Sequence, residues 1–135
     1  MKIDPSIKVY GCKMYRDKKC PTENAEQITI FNHLRLHYPE LAKLSTHILN
    51  EGKKSQAQAA KDAQMGLTAG FSDIIIIGCP VFVCELKKRD FTKSKISKEQ
   101  EDFLINADKS GAFACVALGA VGFFEALEAW QNAQR

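Results

Sequence analysis

At 135 residues the chain is long enough to bury one core and too short for two domains, so residues 1–135 are read as a single domain. Its 45% hydrophobic and 26% charged residues are ordinary for a folded globular protein and exclude a disordered or low-complexity chain. A net charge of +3 is too mild to announce a polyanion partner from composition, and no apolar run approaches the roughly 20 residues of a membrane span.

The predicted elements run as follows. Residues 1–21 show no clear periodicity and form an N-terminal extension ending at Pro21. They carry no apolar run or small-residue cleavage site, so no signal peptide is expected. Thr22 is an N-cap for a helix in which Ala25, Ile28, Phe31 and Leu34 recur at helical spacing, stopping near Tyr38-Pro39. His47-Ile48-Leu49 reads as a short strand entering the turn Asn50-Glu51-Gly52. Ser55 to Met65 is helical and closes at Gly66. Ile74 to Ile77 is a run of four β-branched residues, typical of a strand buried on both faces. After the break Gly78-Cys79-Pro80, Val81 to Lys87 is its hairpin partner. Ser97 and Gln100 make a capping box for a helix to about Lys109. Ala112 to Leu118 is a further strand, and Gly122 to Gln131 a last amphipathic helix. The order α-β-α-β-β-α-β-α predicts an α/β domain with a central mixed β-sheet flanked by helices.

The five cysteines, Cys12, Cys20, Cys79, Cys84 and Cys115, are odd in number and irregular in spacing. Reduced thiols in a cytoplasmic protein are expected, with Cys79, Cys84 and Cys115 acting as small buried hydrophobes. A loose zinc site of Cys12, Cys20, His33 and His37 is a minor alternative, and a zinc-binding regulatory protein the corresponding rival function.

Charge placement is more informative than its total. Lys13, Arg16, Lys18 and Lys19 form one basic cluster and Lys53 with Lys54 a second. Lys87, Lys88, Arg89, Lys93, Lys95 and Lys98 form a third. Any one of these is ordinarily a solvated face, but together they bracket Asp73 and Glu85. Glu85 and Lys87, two apart on one strand, share a face, and a hairpin brings Asp73 alongside Glu85. Two such carboxylates repel unless a cation joins them, and hard oxygen ligands suit Mg²⁺ or Mn²⁺. Alone, E-x-K in a lysine-rich chain is a weak signal. The apolar flanks strengthen it, because a charge beside a buried strand needs a partner.

The segments Gly70-Phe71-Ser72-Asp73-Ile74 and Val83-Cys84-Glu85-Leu86-Lys87 resemble the PD-(D/E)XK nuclease superfamily, and more narrowly its virus-type replication-repair nuclease (VRR-NUC) domain. Thr22-Glu23-Asn24-Ala25-Glu26-Gln27 is similar to the family's first helix, Asn50-Glu51-Gly52-Lys53-Lys54-Ser55 to its N-x-G-K-R-S turn, and Ser97-Lys98-Glu99-Gln100 to its S-P-E-Q helix start. These motifs span about residues 22–130. Ser72 stands where the family usually has proline, and Glu51 where it often has glycine.

The resemblance implies a restriction-endonuclease-like core and a Mg²⁺- or Mn²⁺-dependent deoxyribonuclease. Asp73 and Glu85 would be metal ligands with the backbone carbonyl of Leu86, and Lys87 would position or activate the attacking water. An acid from the first helix joins them, either Glu23 or Glu26, with Glu26 preferred. Gln100 would hydrogen-bond in the site as well as cap its helix. Asn50, Lys53, Lys54, Lys88 and Arg89 would hold DNA. Stand-alone members resemble phage and prophage proteins, which implies branched DNA such as Holliday junctions as substrate and a homodimer, with no membrane partner. Its interface would use the N-terminal segment or the helix bearing Phe123, Phe124, Leu127 and Trp130, aromatics that more often belong to a core. The rivals are a non-catalytic DNA-binding module on the same fold and a flap- or exonuclease-type activity.

Overall fold

The computed structural model describes residues 1–49 and 54–134. Five strands, β1 (Lys8–Tyr10), β2 (Ser45–His47), β3 (Ile74–Ile76), β4 (Phe82–Lys87) and β5 (Phe113–Leu118), form one sheet in the order β1-β5-β4-β3-β2. β1, β5 and β4 are parallel, while β3 and β2 run antiparallel to their neighbours, so the sheet is mixed as expected. The helices are α1 (Glu23–His37), the four-residue α2 (Pro39–Ala42), α3 (Gln56–Gln64), α4 (Lys98–Lys109) and α5 (Gly119–Ala133).

Strand alternation divides the core between the two faces. Phe82, Cys84 and Leu86 of β4, with Phe113, Cys115 and Ala117 of β5, pack against α1 and α5. Ile30 and Leu34 supply the α1 stripe; Phe123, Ala126, Leu127 and Trp130 supply that of α5. Val83, Ala114, Val116 and Leu118 turn the other way and meet Leu104 of α4. Phe82 sits at the middle of an aromatic cluster, with ring centroids 5.8 Å from Phe113, 5.6 Å from Phe123 and 5.4 Å from Trp130. Trp130 is anchored further by donating its indole N–H to the carbonyl of Pro80 at 2.8 Å.

The caps follow the sequence. Thr22 accepts from the Ala25 amide at 3.1 Å, Ser55 caps α3, and Ser97 with Gln100 forms the capping box of α4. The differences are instructive. The N-terminal extension is not apart from the fold: Lys8-Val9-Tyr10 pairs in parallel with Cys115-Val116-Ala117 and covers the outer edge of β5. The strand expected at residues 47–49 lies at Ser45–His47, because its hydrogen bonds are set by pairing with Ile74–Ile76. Helix α5 begins at Gly119, three residues earlier than its amphipathic pattern indicated. Cys84 and Cys115 are buried side by side on adjacent strands, but Cys79 is exposed in the β3–β4 turn and is no core residue. Phe123, Leu127 and Trp130 belong to the core, which removes them as a surface for a second subunit.

Candidate active site

The β3–β4 register pairs Ile74 with Cys84, and continuing it by one residue sets Asp73 opposite Glu85. The Asp73 Oδ2 accepts the Leu86 amide at 2.9 Å, which fixes the carboxyl at the end of the sheet. His47 lies on the outer side with Nδ1 3.1 Å from the Asp73 carbonyl oxygen, placed to donate to it. Glu85 and Lys87 project from the α4 face of β4, as their spacing required, and both are buried.

Glu85 is 1% exposed, and its Oε1 has no hydrogen-bond partner. Burial, reinforced by hydrogen bonding to Asp73 and that carboxyl's charge, pushes its pKa up to about 10. Lys87 opposes the shift, and Glu23 adds to it. At neutral pH the Asp73–Glu85 pair therefore retains a proton, the expected state of two buried carboxyls with no cation between them. The Lys87 ammonium donates to Gln100 Oε1 at 3.2 Å, and the same oxygen accepts the Ser97 amide at 2.9 Å. One side chain thus closes the capping box and tethers the lysine.

The two first-helix acids part company. Glu26, preferred from sequence as the third acid, is buried against α5: its Oε2 accepts the Ala120 amide at 3.2 Å. Helix α5 has no side-chain cap of its own, so Glu26 satisfies an amide at its positive end. Gly119, at φ +69°, leaves room for this carboxylate, since a Cβ there would collide with Glu26 Oε2. Glu23, one turn earlier, is half-buried, accepts from Ser94 Oγ at 3.3 Å and acts on the Glu85 charge. By placement Glu23 is the acid nearer the carboxyl pair.

Among the described residues no three His, Cys, Asp or Glu side chains converge closely enough to hold an ion among themselves, the cysteine–histidine zinc alternative included. The centre is the two carboxyls of Asp73 and Glu85, with the charge of Glu23 acting on it. The partnerless Glu85 oxygen and the proton held against Asp73 are the features a divalent cation would relieve, so the donor set fits Mg²⁺ or Mn²⁺.

Of the expected DNA-holding residues, Lys54, Lys88 and Arg89 are described. Asn50 and Lys53 lie outside the described residues. Lys54 pairs with Asp62 of α3 at 2.6 Å, an ion pair that also holds the Asp62 pKa below the ordinary carboxylate value. Lys88 and Arg89 directly continue the site strand; Arg89 lies 4.2 Å above the Tyr15 ring, and the Lys88 amide donates to Ser94. Sequence reasoning missed Asp90, buried at the end of this run, although an Asp two residues before a Thr is a turn-forming signal. His33 packs against His37 one turn along α1 and meets the ring of Phe124 from α5 edge-on.

No protein-family model matches the chain, and no curated protein matches it. Among solved structures it is similar to one described as a VRR_NUC domain protein, with 24% identity, a TM-score of 0.70, and coverage of 84% of this chain and 91% of that one. The chain thus has the VRR-NUC fold, a restriction-endonuclease-like α/β core.

Proposed function

We propose that this chain is a nuclease of the VRR-NUC type, dependent on Mg²⁺ or Mn²⁺, that hydrolyses phosphodiester bonds in branched DNA. The observation that carries the reading is the buried Asp73–Glu85 carboxyl pair, with a partnerless oxygen on Glu85 and Lys87 tethered on the same sheet face. Such groups are expensive to bury and reward the fold little.

Asp73, Glu85 and the Leu86 carbonyl would hold the cation, with Glu23 rather than Glu26 as the acid from α1. When bound, the cation supplies Lewis acidity to water and neutralises charge developing on the phosphoryl group. The residues themselves do the rest. The Leu86 amide orients Asp73, and Glu85 must surrender the proton it holds before it can act as a ligand. Lys87, steadied by Gln100, would position the attacking water or donate to a phosphate oxygen, opposing the negative charge that grows as the new P–O bond forms and the old one breaks. The run Lys88-Arg89 follows on the same strand exit, where a phosphate backbone reaching Lys87 would pass.

A homodimer belongs to the proposal, since one site cuts one strand and resolving a four-way junction needs two sites related by symmetry. The test is a panel of labelled four-way junctions, flaps, splayed arms and plain duplex in Mg²⁺ and Mn²⁺. Metal-dependent cutting of branched substrates, lost in Asp73→Asn, supports the reading. Asp73→Asn protein that cuts as fast as the parent would overturn it, and DNA binding without any cutting would favour the non-catalytic module. Light scattering at micromolar concentration tests the dimer.

A further inference from the structure

The segment between β1 and α1 holds four cations in nine residues, and its only acid, Asp17, is consumed internally. The Asp17 carboxylate accepts the Tyr15 hydroxyl at 2.9 Å and the Lys19 amide at 2.9 Å. Lys13, Arg16, Lys18 and Lys19 are all exposed. Such a run would ordinarily wander in solvent, but here it is pinned. Asp90, 1% exposed, accepts the Asp17 amide at 3.0 Å through Oδ2. Its Oδ1 accepts the Thr92 amide and hydroxyl at 2.9 and 2.6 Å and lies 4.0 Å from the Arg16 guanidinium. These donors, Thr92 foremost, hold the Asp90 pKa down to about 2, so the anchor stays charged. Two further contacts tie the same pieces together: Arg89 over Tyr15 at 4.2 Å and Lys13 over Phe91 at 5.5 Å.

Position gives this anchoring its meaning. Asp90 lies on the loop that leaves β4 just after Glu85 and Lys87, and that loop returns through Ser94 to touch Glu23. The segment is therefore fastened to the loop bordering the carboxyl pair. A flexible cationic tail would need no buried carboxylate to hold it. A fixed one presents its charges in register with the chemistry.

We infer that residues 12–20 form a rigid basic strap that grips the phosphate backbone of DNA on the side of the site where β4 ends. The inference deepens the proposed nuclease function and rests on it. Lys18 and Lys19 make the outer phosphate contacts, Arg16 braces the strap on Asp90, and Arg89 with Tyr15 joins the strap to the site loop.

The test reads equilibrium binding of a labelled four-way junction by fluorescence anisotropy, in EDTA, from about 50 to 200 mM salt. K18A/K19A is compared with K43A/K109A, which removes equal charge from Lys43 and Lys109 elsewhere on the surface. The strap variant is expected to bind about tenfold more weakly near 150 mM salt, with the slope of log K against log salt reduced by about 2. The control should stay close to the parent. Asp90→Ala adds positive charge overall, yet is expected to weaken binding because the strap comes loose; thermal melting checks that it folds. Equal affinities and slopes for K18A/K19A and the control overturn the strap while leaving the nuclease reading to the Mn²⁺ cleavage assay. A parent that binds DNA through the strap but cuts nothing upholds the strap and overturns the nuclease; a parent that binds no DNA overturns both.

Discussion

The two halves of β4 are equally buried and do opposite work. Phe82-Val83-Cys84 fills space between helices and contributes to the core without a polar atom beyond the backbone and a thiol. Glu85-Leu86-Lys87, one step along the same strand, hides a carboxyl and an ammonium at the same depth. Burial therefore does not separate core from site. What separates them is whether each hidden polar atom is satisfied: in the first half nothing needs satisfying, and in the second Glu85 Oε1 is left bare.

The comparison can be broken most sharply at the polar half. Asp73→Asn, Glu85→Gln and Lys87→Ala should each reduce cleavage by about a thousandfold or more, while far-ultraviolet circular dichroism and DNA binding remain near parental. A cut at the apolar half should do the reverse. Phe82→Ala removes the centre of the aromatic cluster and is expected to lower stability by about 3–5 kcal/mol in urea unfolding. Any surviving folded fraction should retain its specific activity.

A third measurement uses pH. In the metal-free protein Glu85 keeps its proton up to about 10, whereas the unfolded carboxyl, with its ordinary value of 4.5, loses it far earlier. Between those values the native state holds the extra proton, so stability falls as pH rises, by up to about 1.4 kcal/mol per pH unit from this group. Glu85→Gln should flatten that dependence between pH 6 and 8, and urea midpoints in EDTA would reveal it. Smaller effects should come from polar atoms outside the site. Glu26→Ala should cost about 1 kcal/mol by uncapping α5, with Glu26→Gln largely restoring it and cleavage little changed in either. Among the described residues Ser72 Oγ is the other buried side-chain oxygen without a partner. Ser72→Ala should leave the melting temperature unchanged or raise it slightly, since no hydrogen bond is lost.

The hairpin was legible because four β-branched residues, a Gly-Cys-Pro break and a second apolar run leave one natural pairing. That pairing alone brings Asp73 to Glu85. The capping contact of Gln100 was legible from the Ser97 spacing, and the same side chain also reaches Lys87, for a residue at the third position of a helix can touch its own cap and a neighbouring strand together. Glu23 and Glu26 were not separable, because residues three apart share a helical face and only the packing of α5 decides which one is spent on its amides. β1 was missed because three residues give no period to detect; the outer edge of β5 recruits it through backbone pairing. Cys79 was misplaced because hydrophobicity does not tell a strand from the turn that ends it.

The meeting of Glu26 with Gly119 also bears on how this sequence can change. A side chain at position 119 would strike the carboxylate, and losing the carboxylate would strip the Ala120 amide of its acceptor. The two positions, far apart along the chain, therefore inherit one another's options. In descendants of this sequence a substitution at either should be accompanied by one at the other, and the pair should be recoverable as correlated drift even where the rest of α1 and α5 has diverged.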